Sequence, residues 1–144
     1  MDVDKLVIDN ESAISEEQLS TLDIDQLVHY KKTSKHSIGL CDQIIERKIN
    51  SLQKSEALLT TCRLDLESLV ENIIEENANI NFNIQDENGF TPFHWTCLNK
   101  NNKLVELIIS CARRNLTIDL SIRDKDDNKG FYYWKEKFMP DTFL

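Results

Sequence analysis

Apolar residues recur at helical spacing in two stretches of the chain. Leu104, Val105, Ile108 and Ile109 fall on one face of a helix, and Leu69, Val70, Ile73 and Ile74 show the same i, i+1, i+4, i+5 pattern earlier. Thr91 can cap a helix whose first residue is Pro92, where a missing N–H costs nothing. The spacing predicts a first helix from Pro92 to about Asn99, a polar turn at 99–102, and a second helix from Lys103 to about Arg113. The segments INFNIQD (80–86) and IDLSIRD (118–124) alternate apolar and polar residues, the period of an extended strand. Both run into turn-forming stretches, Asp86 to Phe90 and Asp127 to Phe131, each with a Gly that supplies positive φ cheaply. One unit is therefore expected to be an extended hairpin, a short helix and a longer helix.

The N-terminal part follows a different pattern. Residues 1–14 are acidic with scattered aliphatics and are expected to be loosely ordered. Ser15 to Gln18 forms a capping box, and the helix after it has Leu19, Leu22, Leu27 and Val28 as its apolar side. A break with a second cap is expected near Thr21 to Asp23. Lys31 to Ser37 reads as a basic, polar linker, and Leu40, Cys41, Ile44, Ile45 and Ile49 mark another helix. No a/d heptad is sustained, so a coiled coil is not expected.

The middle of the chain repeats itself. At a shift of 35, LLTTCRLDLESLVENII (58–74) aligns with FHWTCLNKNNKLVELII (93–109), with identities at Thr61/Thr96, Cys62/Cys97, Leu69/Leu104, Val70/Val105, Glu71/Glu106, Ile73/Ile108 and Ile74/Ile109. At a shift of 38, Ile80/Ile118, Ile84/Ile122 and Asp86/Asp124 coincide. Most of these positions are small or apolar, the kind that must pack.

The run Asp86-x-x-Gly89-x-Thr91-Pro92-Phe93-His94-x-Thr96-Cys97 resembles the ankyrin-repeat signature, whose core is T-P-L-H-x-A. Ala78-Asn79-Ile80-Asn81 is similar to the segment that precedes the next hairpin in that family. The resemblance is clear over residues 55–124. It departs at 54–62, which lacks Gly, Pro and His, and at Phe131-Tyr132-Tyr133-Trp134, which replaces Thr-Pro-Leu. It implies an all-α helical solenoid with short β-hairpin loops, three to four repeats and a helical N-terminal cap. The expected divisions are residues 1–14, a cap or divergent first repeat at 15–50, and repeats at about 51–83, 84–122 and 123–144. Tyr132, Tyr133, Trp134 and Phe138 would cap the stack, since end repeats shield an apolar face.

Composition narrows the function. The chain has 144 residues, 40% hydrophobic and 29% charged, with only 3 Gly and 2 Pro, which suits one globular helical domain. Its net charge of −8 opposes direct binding to nucleic acid or to an anionic membrane. No apolar run approaches the roughly 20 residues of a membrane helix, and Met1-Asp2-Val3-Asp4 does not read as a signal peptide. Cys41, Cys62, Cys97 and Cys111 form no CxxC pair and are expected to be reduced, mostly buried thiols in a cytoplasmic or nuclear setting.

Chemistry-bearing residues are sparse in pattern. His94 and Cys97 could offer two metal ligands, but a structural zinc site wants four. In the ankyrin family the His of this motif is structural, so no metal and no catalytic thiol are expected. Glu67, Glu71, Glu75, Glu76, Asp124, Asp126 and Asp127 show no paired acid–base constellation, and most are expected on a solvated face. Asp124 to Asn128 lacks the Gly and closing Glu of a calcium loop and reads as a charged hairpin tip. No enzyme activity and no cofactor are expected.

The resemblance instead implies a protein-binding surface made of hairpin tips and first helices. It places there Gln85, Glu87, Asn88, Phe90, Leu98 and Asn99. Gln53 and Arg63 occupy the equivalent places in the preceding unit, and Arg123, Lys125 and Phe131 in the following one. Phe90 and Phe131 each follow a Gly by one residue and are matched as successive tips, whereas Trp95 is expected to pack between repeats. The expected role is an adaptor or inhibitor whose partner has a basic or apolar surface. The alternative is a recognition or regulatory subunit of a larger enzyme complex, anchored through the N-terminal helices.

Overall fold

A computed structural model describes residues 14–34, 37–77 and 79–138, with the backbone alone given for 135–138. The acidic segment 1–13, part of the 31–37 linker, Ala78, the Phe138 side chain and everything after it lie outside the described residues. The fold is all-α. Among the described residues eight helices follow one another: α1 (Glu16–Ser20), α2 (Ile24–Thr33), α3 (Ile38–Asn50), α4 (Lys54–Arg63), α5 (Glu67–Glu76), α6 (Pro92–Leu98), α7 (Asn102–Arg114) and α8 (Gly130–Phe138). They fall into two compact units that divide between Leu52 and Gln53.

In the first unit, Ser15 and Asp23 each close a capping box, with Gln18 and Gln26 reaching back to the cap N–H. These two caps split the N-terminal helical stretch into α1 and α2. Both pack on α3 through a core that includes Leu19, Leu22, Leu27, Tyr30, Ile44 and Ile49. Lys31 to Thr33 are not linker but the last turn of α2, and Lys31 is held by Asp42 at 2.6 Å. Basic residues suit a helix C-terminus, where the backbone carbonyls carry partial negative charge.

In the second unit α6 is the centre. It packs against α4 on one side and α8 on the other, and also against α7; α5 packs on α4. Thr91 caps α6, with Pro92 at its first position. The self-similarity at shift 35 is also one of backbone. Asp65 and Lys100 both take positive φ (56° and 58°) just past α4 and α6. Leu66 N–H then reaches Thr61 O, and Asn101 N–H reaches Thr96 O, at 2.9 and 3.2 Å. These are Schellman endings made without glycine. Cys62, Cys97, Val70, Val105 and Ile108 are fully buried in the core those endings frame.

The alternating segments do not form strands. Among the described residues there is one isolated bridge, Arg123 to Lys129. The physical reason is the polar half of the alternation. Asn81 Oδ1 accepts from Asn83 N–H, and Asp119 Oδ1 from Ser121 N–H, both at 2.9 Å. Such side-chain turns fold the backbone where a strand would keep it straight. Asn83 then links the two loops: its Nδ2 donates to Thr117 O at 2.8 Å, and its Oδ1 accepts from Asp119 N–H at 2.9 Å.

Candidate functional site

Two turns, 86–90 and 124–128, lie at the entrances to α6 and α8 and are built to one plan. Asp86 Oδ1 accepts from the N–H groups of Asn88 and Phe90 at 2.9 and 3.0 Å. Asp124 Oδ1 accepts from those of Asp126 and Asn128 at 2.9 and 3.0 Å. The second carboxylate oxygen of each takes an aromatic donor nine residues on: Trp95 Nε1 for Asp86, at 2.9 Å, and the Tyr133 hydroxyl for Asp124. Asp therefore closes each turn and ties it to the helix that follows.

This plan sets a register that differs from the sequence match. Gly89 (φ 80°) is equivalent to Asp127 (φ 64°), so Phe90 corresponds to Asn128 rather than to Phe131. Asp tolerates the left-handed region better than most residues, which is why a glycine is dispensable there. Gly130 instead opens α8, where an added Cβ would sit 2.6 Å from the Phe93 ring. Phe131 is thus on a helix, its ring 5.0 Å from that of Phe93, and it remains 39% exposed.

His94 joins the two turns. Its Nδ1 accepts from Thr91 N–H at 3.2 Å, so Nε2 carries the proton and donates to Asn128 O at 2.9 Å. Asp124 Oδ2 lies 4.0 Å from the same Nε2. Lys125 N–H donates to Asn88 O at 3.1 Å, and Gln85 Nε2 donates to Gly89 O and Arg123 O. A Cβ on Gly89 would come within 2.9 Å of Lys125 N, so the turns are stacked in close contact.

The electrostatics follow from this enclosure. Asp124 is buried, an exception to the mostly solvated acidic face and to the charged tip expected at Asp124 to Asn128. Burial pushes its carboxyl up. The Tyr133 hydroxyl and the Asn128 and Asp126 N–H groups outweigh that and hold it below its ordinary value. Burial, then the bond to Asp124, pushes Tyr133 up to about 12. Burial raises Cys62 far above the usual thiol range and Cys97 to about 12, the latter against the lowering pull of Lys100 and Thr96. Both sulfurs therefore stay protonated at neutral pH. His94 has both ring nitrogens engaged, which leaves neither for a metal beside Cys97.

The residues matched to a binding surface are distributed as follows. Glu87, Asn88 and Lys125 are exposed at the turns, as is Arg123, which pairs with Asp127 at 3.7 Å. Gln85 is exposed but its amide bridges the turns. Phe90 is half-buried, with ring centroids 4.9 Å from Trp95 and 5.9 Å from Tyr133. Leu98 and Arg63 are half-buried on α6 and α4. Asn99 spends its amide on Cys62 O at 2.8 Å and Arg63 O at 3.3 Å. Gln53 is exposed beside a hollow of about 460 Å³ that Ser55 and Asn79 also line. Sequence reasoning missed the Asp86–Trp95 and Asp124–Tyr133 pairs, for which the equal nine-residue spacing was the available signal. Among the described residues, no helix is long and apolar enough to cross a membrane. Compared with models of protein families, with curated proteins and with solved structures, the chain matches none.

Proposed function

We propose that residues 53–138 are a short ankyrin-like stack, and that the chain is a protein-binding adaptor or inhibitor rather than an enzyme. The observation that carries this is the division of labour within the two turns. Asp86 and Asp124 are consumed in closing their own turns, and His94 and Gly89 in holding one turn against the next. Glu87, Asn88 and Lys125 stay exposed on that fixed backbone. A rigid ridge with exposed side chains is suited to recognition, because little conformational entropy is lost when a partner docks. The partner's surface is basic or apolar, in keeping with a net charge of −8, and the setting is cytoplasmic or nuclear.

The test is affinity capture with the full chain and with the double reversal Glu87→Arg/Lys125→Glu. The reading expects a captured partner whose affinity falls at least about tenfold in the variant at an unchanged melting temperature. A partner held equally by both proteins would place recognition elsewhere. A complex that is obligate and needs residues 14–52 would make the chain a fixed subunit of an assembly instead.

A further inference from the structure

On another face of the second unit, α5 and α7 flank a trough that the turn network does not use. Its first part has a volume of about 370 Å³ and a floor of half-buried Ile74 and Leu107. Ile74 is also part of a second hollow of about 320 Å³, lined by Phe82, Cys111 and Ile118 among others. The apolar floor is therefore continuous along the α5 side. Leu116, 95% exposed, follows Asn115 at the far end. An isolated exposed leucine is ordinary, but one beside a continuous apolar trough extends a contact surface.

The rim is acidic. Glu71, Glu75 and Glu106 stand along its first part with one cation, Lys103, and Arg114 lines the second part. Lys103 is already held by Glu71 at 2.9 Å and by Glu67 at 3.5 Å. Glu75 and Glu106 remain exposed. An apolar floor beside the exposed carboxylates of Glu75 and Glu106 fits an occupant with an apolar stripe flanked by Lys or Arg. A second copy of this chain fits poorly, because it would bring a net charge of −8 to an acidic rim.

We propose that the α5/α7 trough docks a basic amphipathic segment of a partner protein, with apolar side chains over Ile74 and Leu107 and cations on Glu75 and Glu106. The site lies apart from the turn ridge and does not depend on the reading of that ridge. As a helix, a segment matching the 13 residues of α7 would be roughly 20 Å long.

The probe is a labelled peptide of about 14 residues, roughly four helical turns, with leucines on one helical face and lysines beside them. A second peptide has glutamates in place of the lysines. Binding to the full chain is followed by anisotropy at physiological salt and by methyl NMR. The lysine peptide should bind and shift the Ile74 and Leu107 methyl signals, and the glutamate peptide should not bind. Glu75→Lys/Glu106→Lys should weaken binding about tenfold, from two attractions turned to repulsions. The charge-matched control Glu87→Lys/Asp126→Lys, on the turns, should change it less than about threefold. Equal losses in the two variants would reduce the effect to net charge and overturn the assignment. So would methyl shifts confined to other parts of the chain, or no binding of the lysine peptide.

Discussion

Helices α4 and α6 stop at equivalent residues, Arg63 and Leu98, but α4 starts three residues earlier in register and runs for 10 residues against 7. Both ends use a left-handed residue at the same position, Asp65 or Lys100, and the same pair of backbone bonds. The starts share nothing. At α6, Thr91, Pro92 and His94 make a capping box and fix where the helix begins. At α4, Gln53 makes no side-chain cap, and Lys54 to Glu56 simply continue the helix toward the N-terminus. The endings must be alike because each sets the direction of the next helix and places Cys62 or Cys97 in a full core. The start is free to drift, since an uncapped helix loses only about 1 kcal/mol.

The largest expected effect separates the two starts. His94→Ala should cost about 3–4 kcal/mol in urea unfolding, because it leaves a cavity, strands the Thr91 N–H and removes one of the two donors to the Asn128 carbonyl. Leu59→Ala, at the matching place on α4, is half-buried and should cost about 1–2 kcal/mol. Equal costs for the two would mean that the α6 entrance is no more than packing. Next is Gly89→Ala, at about 2–3 kcal/mol, from positive φ plus the approach of Lys125 N to 2.9 Å.

The third prediction concerns pH. Asp124→Asn should cost about 2 kcal/mol at neutral pH, the scale of hydrogen bonds to a buried carboxylate. The folded carboxyl is held below its ordinary value, so its stabilisation is complete above about pH 5 and is lost as the pH falls below about 4. The gap between wild type and variant should therefore narrow in acid, and a gap that stays constant from neutral pH to about pH 3 would contradict the burial geometry. The smallest effect is expected for Asp127→Gly. Relief of left-handed backbone offsets the loss of an exposed pair with Arg123, leaving a change within about 0.5 kcal/mol. A loss several times larger would show that Asp127 is not the equivalent of Gly89.

Much of this arrangement was legible in the chain. Of the seven identities at shift 35, five keep the same burial, and Leu69/Leu104 and Glu71/Glu106 do not; the recurrence follows because helix faces and Schellman endings are set by local pattern. The caps at Ser15, Asp23 and Thr91 were equally local. The strand expectation failed at Asn81, Asn83 and Asp119, since alternation says nothing about whether a polar side chain faces water or bonds its own backbone. The match of Phe90 with Phe131 failed because the conspicuous Gly130 was taken for the turn glycine, while Asp127 held that conformation.

What the sequence by itself determined is where helices start, stop and turn their apolar faces, since those depend on residues within about four positions of one another. What only the tertiary structure decided is which polar groups are enclosed. Asp124 became a buried anchor, and Glu71, Glu75 and Glu106 a rim, through neighbours on other helices and loops. Whether a carboxylate is solvated depends on what packs over it, and no periodicity in one segment specifies that.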